Sequence, residues 1–312
     1  MSSFETPVGT VHPPHGEIEE VGGSPAAIDR AVSVIIPALD EAAHVAAEIE
    51  GVAGQLAGLD WSYEILVVDD GSSDDTAERA AAAGARVLRH RQNRGYGASL
   101  KTGIANARFD WILITDADGT YPAEEIPRIL AASEANAMVV GARTGADVSV
   151  PLSRRPAKWF LRKLAGYLAG QRLPDLNSGL RLMRRDLVER YEHLLPSGFS
   201  FTTTITLAAA CNGHDVEYVS INYRKRLGES KIRPRHAFDF TLLILRTIVF
   251  FNPLKVFIPA GGVLALAGLA KFGYDLTQNN LSETAVLALL GALIVWAVGL
   301  LADQNARIAM SR

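Results

Sequence analysis

Three short apolar runs near the start of this chain stop abruptly at acids. Val32-Ser33-Val34-Ile35-Ile36-Pro37 precedes Asp40-Glu41, Glu64 to Val68 precedes Asp69-Asp70, and Trp111 to Thr115 precedes Asp116-Ala117-Asp118. Short apolar runs bounded by polar breaks read as strands buried on both faces. Ala-rich segments with helical spacing separate them: one over 42–57, and one after Asp74-Asp75-Thr76, where Ser or Asp caps the helix. This alternation predicts an α/β fold, a mostly parallel sheet with helices on both faces. Ligands of such sheets bind outside the carboxyl ends of the strands, and this chain puts its acids there.

The remaining elements follow in order. A strand at Arg86-Val87-Leu88 leads through His90-Arg91-Gln92-Asn93-Arg94-Gly95-Tyr96-Gly97 into a helix that ends near Ala107. A helix is predicted over 123–134 and a strand from Ala137 to Val140. The loop Pro174 to Arg181 enters another strand, helices follow over 186–193 and 198–213, and a last strand runs from Val216 to Ile221. Two regions are basic. Arg143, Arg154, Arg155, Lys158, Arg162 and Lys163 lie over a loop and helix, and residues 222–235 carry six basic side chains against one acid.

The pair Asp116 and Asp118 is the sharpest chemical signal. Alternate residues of an extended chain face the same side, so both carboxylates can converge on one point. A turn with two solvated acids is one reading. The other is a site for Mg²⁺ or Mn²⁺, cations that take hard oxygen ligands together with water and substrate phosphates. Acids at two further strand ends favour the second.

The C-terminal third differs in character. Residues 238–251 are apolar but interrupted by Asp239 and Arg246, which suits a helix lying in a membrane interface. Leu254 to about Gly273 and Thr284 to Ala302 are long and apolar enough to span roughly 30 Å of hydrocarbon. Basic residues flank their outer ends, at 224–235 and at Arg307 and Arg312, so the positive-inside tendency places the main domain in the cytoplasm, at an inner membrane. The alternative is two buried core helices. The spans also offer a surface for homo-oligomer formation. Residues 1–30 are rich in Pro, Gly, Glu and Ser and read as a disordered tail without the features of a signal peptide. The expected organisation is therefore a tail over 1–30, a catalytic domain over 31–235, an interfacial helix over 236–252 and a membrane domain over 253–312.

Other signals are weaker. The formal net charge of −3 gives no argument for nucleic acid. The single cysteine, Cys211, lies in an apolar helical run and reads as packed. His12 and His15 fall in the tail, and His90, His193 and His214 lack ligand spacing and read as structural. Gly95-Tyr96-Gly97 lacks the third glycine of a dinucleotide fingerprint, and Gly97 to Gly103 lacks P-loop spacing.

Four segments, in order, resemble one family. Val67-Val68-Asp69-Asp70-Gly71-Ser72, Asp116-Ala117-Asp118, Asn177-Ser178-Gly179-Leu180-Arg181 and Arg226-Leu227-Gly228-Glu229-Ser230-Lys231 are similar to motifs of the family 2 glycosyltransferases with a GT-A (Rossmann-like) fold. Within that family the chain most resembles the dolichol-phosphate mannose synthase and polyprenyl-phosphate glycosyltransferase branch. The resemblance implies inverting transfer of one sugar from a UDP- or GDP-linked donor to a polyprenyl phosphate, without a covalent enzyme intermediate. It implies that Pro37, Ala38, Asp40 and Glu41 line the nucleotide pocket with Asp69 or Asp70 at the base or ribose. Asp116, Ala117 and Asp118 would lie at the diphosphate, the two acids holding Mg²⁺ or Mn²⁺. Arg143, Arg155, Ser178, Ser230 and Lys231 would face the acceptor phosphate. Asp118, Arg155, Ser178, Arg181, Arg226 and Lys231 make up the implied catalytic set. Gly119-Thr120 stands where the eukaryotic-type synthases carry Leu-Gln, so the resemblance leaves the third metal ligand unassigned. From the residues alone, Asp175 and Arg181 form a candidate loop ion pair.

Two other functions are open to such a chain. A processive polysaccharide synthase shares the fold, but its QxxRW pattern is missing here. A catalytically silent, membrane-anchored nucleotide-binding subunit would have no need for intact acidic strand ends and an intact basic run.

Overall fold

The computed structural model describes residues 30–134, 136–144, 163, 166–167, 170, 172–198, 200–224, 249–278 and 282–310. Its centre is a seven-stranded sheet. The strands are β1 (Ala31–Ala38), β2 (Ser62–Asp69), β3 (Arg86–Arg89), β4 (Trp111–Ile114), β5 (Met138–Ala142), β6 (Arg181–Arg184) and β7 (Val216–Ser220). They lie in the order β3-β2-β1-β4-β6-β5-β7. Pairs β1–β2, β1–β4, β2–β3 and β5–β7 are parallel, whereas β6 runs antiparallel to both β4 and β5. The sheet is thus mostly parallel, as the alternation predicts, with one reversed strand that the pattern does not reveal.

Strand periodicity divides the core in two. Val32, Val34, Ile36, Val67, Leu113, Val139 and Leu182 face one side, where they meet helix α1 (Val45–Ala57), α2 (Thr76–Ala82) and α4 (Ile126–Ala131). Ile35, Val68, Ile112, Ile114, Met138, Val140 and Met183 face the other, against α3 (Tyr96–Asn106), α5 (Arg185–Tyr191) and α6 (Phe201–Cys211). In α1 the buried Val45, Ile49, Val52 and Leu56 form a stripe at helical spacing. Each fully buried aliphatic side chain of this kind contributes roughly 1.5–3 kcal/mol relative to exposure. Helices on both faces follow from strands that are apolar on both sides.

The C-terminal helices α7 (Leu254–Thr277) and α8 (Glu283–Met310) pack chiefly on one another. Only 11% of the apolar window of α7 and 17% of that of α8 is buried, which argues against the core-helix alternative. Both are longer than the sequence pattern suggests. Gly261 of α7 lies against Trp296 of α8, and Gly299 of α8 against Phe257, so small residues admit large ones across the hairpin. The indole of Trp296 donates to the Ile258 carbonyl at 3.2 Å. Most of the interfacial helix expected over 236–252 lies outside the described residues. At its end Phe251 is buried against Tyr191 of α5, with ring centroids 5.9 Å apart.

Candidate active site

The acids converge because of strand order. β2, β1 and β4 are neighbours and parallel, so Asp69-Asp70, Asp40-Glu41 and Asp116-Asp118 all leave the same sheet edge. The reversal of β6 brings in more. Arg181 pairs with Ile114 and with Val140, so loop 172–180 enters the sheet where β4 and β5 leave it. β7 also ends here, with Ser220 paired to Ala142. Six chain segments therefore meet at one edge.

On the β1–β2 side the loops are tied to each other. Asp40, the one described non-glycine residue with positive φ (54°), accepts from Ser73 N and Oγ at 2.8 and 3.0 Å. Its own amide donates to Ser72 Oγ at 3.0 Å, and Glu41 N donates to Thr76 Oγ1 at 2.9 Å. Asp69 is buried, accepting from Ser72 N at 2.9 Å and lying 2.9 Å from Arg89 Nε. Asp70 is buried too; it accepts from Arg94 N and Gly95 N at 2.9 and 2.8 Å and pairs with His90 Nδ1 at 2.7 Å. Both carboxylates thus hold the loops at this end of the sheet, and Asp40 is the exposed acid of this side. Pro37, Ala38 and Ala117 are buried in strand or core positions.

At the end of β4, Asp116 and Asp118 are half-buried while Ala117 between them faces the core. Tyr96 Oη donates to Asp116 Oδ1 at 3.0 Å. Burial and the Asp116 charge push the Tyr96 hydroxyl well up, which keeps it a donor. Gly179 packs directly on the same carboxylate, and its amide donates to Tyr121 Oη at 2.6 Å. Thr120, the residue without an assigned role at the pair, turns its hydroxyl into Asp118: Oγ1 donates to Oδ1 at 2.6 Å and the Thr120 amide does so at 3.1 Å. It orients Asp118.

Behind the pair lies Glu48 of α1, buried, accepting from Thr115 Oγ1 at 3.2 Å. Its carboxyl is raised to about 7, chiefly by burial. The Asp116 and Asp118 charges add to the rise, against the Thr115 bond and the opposite charge of Arg224.

Arg143, Asp175, Arg181 and Ser178 all make contacts within the protein. Arg143, expected at an acceptor phosphate, holds Asp175 in a two-pronged pair, Nε to Oδ2 at 2.7 Å and Nη2 to Oδ1 at 2.9 Å. Its planar fork is committed to that carboxylate. Asp175 therefore pairs with Arg143 and not with Arg181. Arg181 is fully buried and donates to the carbonyls of Ser178 and Thr202 and to Thr206 Oγ1. These bonds tie loop 172–180 to α6. Ser178 is fully buried as well, its hydroxyl 3.5 Å from the Leu180 carbonyl, beside the exposed Asn177. Arg155, Arg226, Ser230 and Lys231 lie outside the described residues.

Sequence reasoning assigns no role to Glu48, Tyr96, Tyr121 or Tyr223. Tyr96 sits in a fragment that fails as a dinucleotide motif, and Glu48 differs from other helical glutamates only through its burial. His90 and His214 are structural, His214 bonding Tyr191 Oη at 3.1 Å. Cys211 is half-buried.

The donor set suits a hard cation. Among the described residues no three His, Cys, Asp or Glu side chains are grouped as a ready-made metal site. Two carboxylates held from behind by Tyr96 and Thr120 could take Mg²⁺ or Mn²⁺, whose shell then needs phosphate and water oxygens.

Comparison with known proteins agrees with this architecture. Residues 33–192 match Glycosyl transferase family 2, and residues 252–308 match the GtrB C-terminal hairpin. An undecaprenyl-phosphate 4-deoxy-4-formamido-L-arabinose transferase of Klebsiella pneumoniae is 31% identical over 279 residues, 86% of this chain and 82% of the relative. A dolichyl-phosphate hexose transferase of Haloferax volcanii is 32% identical over 177 residues, 56% of this chain and 76% of the relative. Among solved structures, glucosyl-3-phosphoglycerate synthase from Mycobacterium tuberculosis with Mn²⁺, UDP and glucosyl-3-phosphoglycerate superposes with a TM-score of 0.56. It is 23% identical, with 77% of this chain and 85% of that one covered. The GT-A fold is shared, and with its acidic strand ends and its C-terminal hairpin the chain belongs to glycosyl transferase family 2.

Proposed function

We propose that the protein transfers one sugar, with inversion, from a nucleotide-diphosphate sugar to a polyprenyl phosphate at a membrane surface. The observation that carries this reading is the meeting of the Asp116/Asp118 pair with loop 172–180 and the β7 exit at one sheet edge, in a chain that also has two helices long and apolar enough to cross a membrane. The names of the two relatives above point to the same acceptor class.

In this reading Asp40 and Glu41 line the nucleotide side, and Asp116 and Asp118 hold the cation. A divalent ion bound there would supply positive charge against the diphosphate and the leaving nucleotide. Tyr96 and Thr120 fix the two carboxylates, so little reorganisation is needed as charge moves. A phosphate acceptor is already ionised near neutral pH, its second pKa being about 6, so no base on the protein is required. The chain's task is then alignment of acceptor oxygen, sugar carbon and leaving group. The run 224–235 starts at Arg224, whose amide donates to the Thr120 carbonyl at 2.9 Å, beside the acidic pair. The resemblance assigns Arg226, Ser230 and Lys231, which come next in the chain, to the phosphates and Arg155 to the acceptor.

The catalytic unit spans 31–235, with the tail before it, the interfacial helix over 236–252 and the membrane unit over 253–312. Basic flanks at the outer ends of the hairpin put the catalytic unit on the cytoplasmic side. The test is transfer of labelled sugar by isolated membranes into an organic-extractable, acid-labile lipid, across UDP- and GDP-sugars with Mg²⁺ or Mn²⁺. Lipid labelling that depends on this chain is expected; none with any donor would overturn the reading.

A further inference from the structure

Beyond the acidic pair and the basic run, one side chain joins the two halves of this edge. Tyr223 follows β7 and is half-buried. Its ring meets that of Tyr121 edge-on, with centroids 5.2 Å apart and planes at 70°. The Arg143 guanidinium lies over its face, 5.3 Å from the centroid. Tyr121 belongs to the loop of Asp116 and Asp118 and accepts from the Gly179 amide. Arg143 is fastened to Asp175 at the start of loop 172–180. One ring therefore touches the loop of the acidic pair and the Arg143–Asp175 ion pair at once.

The neighbouring contacts reinforce its place. Ile221 is buried and its amide donates to the Ala142 carbonyl at 2.9 Å, and Arg224 N donates to Thr120 O at 2.9 Å. The Arg224 side chain lies 3.2 Å from Glu124, but both groups are largely exposed, and such pairs hold little. Among the described residues the Tyr223 hydroxyl makes no hydrogen bond, so the ring is what binds. Edge-on aromatic contact and a cation over the ring face are both directional.

We propose that Tyr223 is a positioning residue: its ring, held between Tyr121 and Arg143, sets where the basic run 224–235 leaves the sheet relative to Asp116 and Asp118. The functional part of this inference rests on the reading above; the structural part does not. Lys225 and Arg226 come directly after the clamp, so loss of the ring frees their point of departure.

The full-length protein in detergent tests this with Tyr223→Ala, Tyr223→Leu and Tyr223→Phe. Limited trypsin cleavage at Arg224, Lys225 and Arg226 is expected to speed up severalfold in the Ala and Leu variants and to stay at the wild-type rate in Phe. With labelled donor, kcat is expected to fall about tenfold in Ala and Leu with donor KM within about twofold, since misalignment costs rate more than binding. Wild-type behaviour of the Leu variant in both assays overturns the proposal, as does a Phe variant as impaired as Ala. Leu keeps apolar bulk, so it decides the matter should the Ala variant not fold. The cleavage assay needs no substrate, so it stands even where the wild-type chain shows no transfer.

Discussion

Gly179 is seated on the carboxylate of Asp116: a Cβ at position 179 would lie 2.7 Å from Oδ2 and 2.9 Å from Cγ. Moving the carboxylate aside would strain the 3.0 Å bond from Tyr96 to its other oxygen. Gly179→Ala is expected to push Asp116 off its position and lower kcat by at least about tenfold, with a loss of stability of roughly 1–3 kcal/mol. Thermal unfolding and transfer assays on the same preparation check both. Wild-type turnover in the Ala variant would show that the contact does not constrain Asp116.

Asp118→Asn removes one charge from the pair while leaving an oxygen for Thr120 to bond. Transfer is expected to fall about a hundredfold or more, with membrane insertion intact. Thr120→Val, which removes only the hydroxyl that orients Asp118, is expected to weaken Mn²⁺ binding about tenfold. Paramagnetic titration with Mn²⁺ reads the second effect without turnover, and equal affinity in the Val variant would separate Thr120 from the site.

Glu48 makes stability depend on pH. Its carboxyl titrates at about 7 in the folded chain, up from 4.5, chiefly because it is buried. The folded state then holds a proton that the unfolded state releases between those values, so stability falls as pH rises from 4.5 to 7 and is flat above. Glu48→Gln keeps the Thr115 bond and carries no charge. It is expected to match wild type near pH 4.5 and exceed it by up to about 3 kcal/mol at about pH 8. Unfolding midpoints in detergent across that range are the measurement; a constant difference between the two proteins would place the Glu48 pKa near its ordinary value.

The hairpin closes through Gly261, where a Cβ would fall within the indole of Trp296. Gly261→Val is expected to part α7 from α8 and lower stability by roughly 1–3 kcal/mol. Gly262, one residue on, has open space on its Cβ side, with no atom within 4 Å of where a side chain would begin. Gly262→Val therefore serves as the tolerated control. Heat stability in detergent compares the two.

Much of this molecule is written locally. Strand runs such as Val32 to Pro37 and the helical stripe Val45, Ile49, Val52, Leu56 declare themselves through period and length, because burial on one or two faces imposes a repeat. The acids at three strand ends and the two apolar spans are legible for the same reason, and the order of the motifs carries the family. The commitments of polar side chains are different, since they depend on partners far along the chain. Arg143 meets Asp175, Arg181 meets Thr202 and Thr206, Tyr96 meets Asp116, and Tyr223 meets Tyr121, each brought together by strand order and the reversed β6. Nothing near Glu48 in the chain distinguishes it from an exposed helical glutamate; packing of α1 on the sheet alone puts it behind the acidic pair. By itself the sequence determined which elements form, where the acids sit and that the chain ends in lipid-compatible helices, since those follow from local pattern. Only the tertiary structure decided which charges are spent on partners within the protein, because a buried charge must find its partner wherever the fold supplies one.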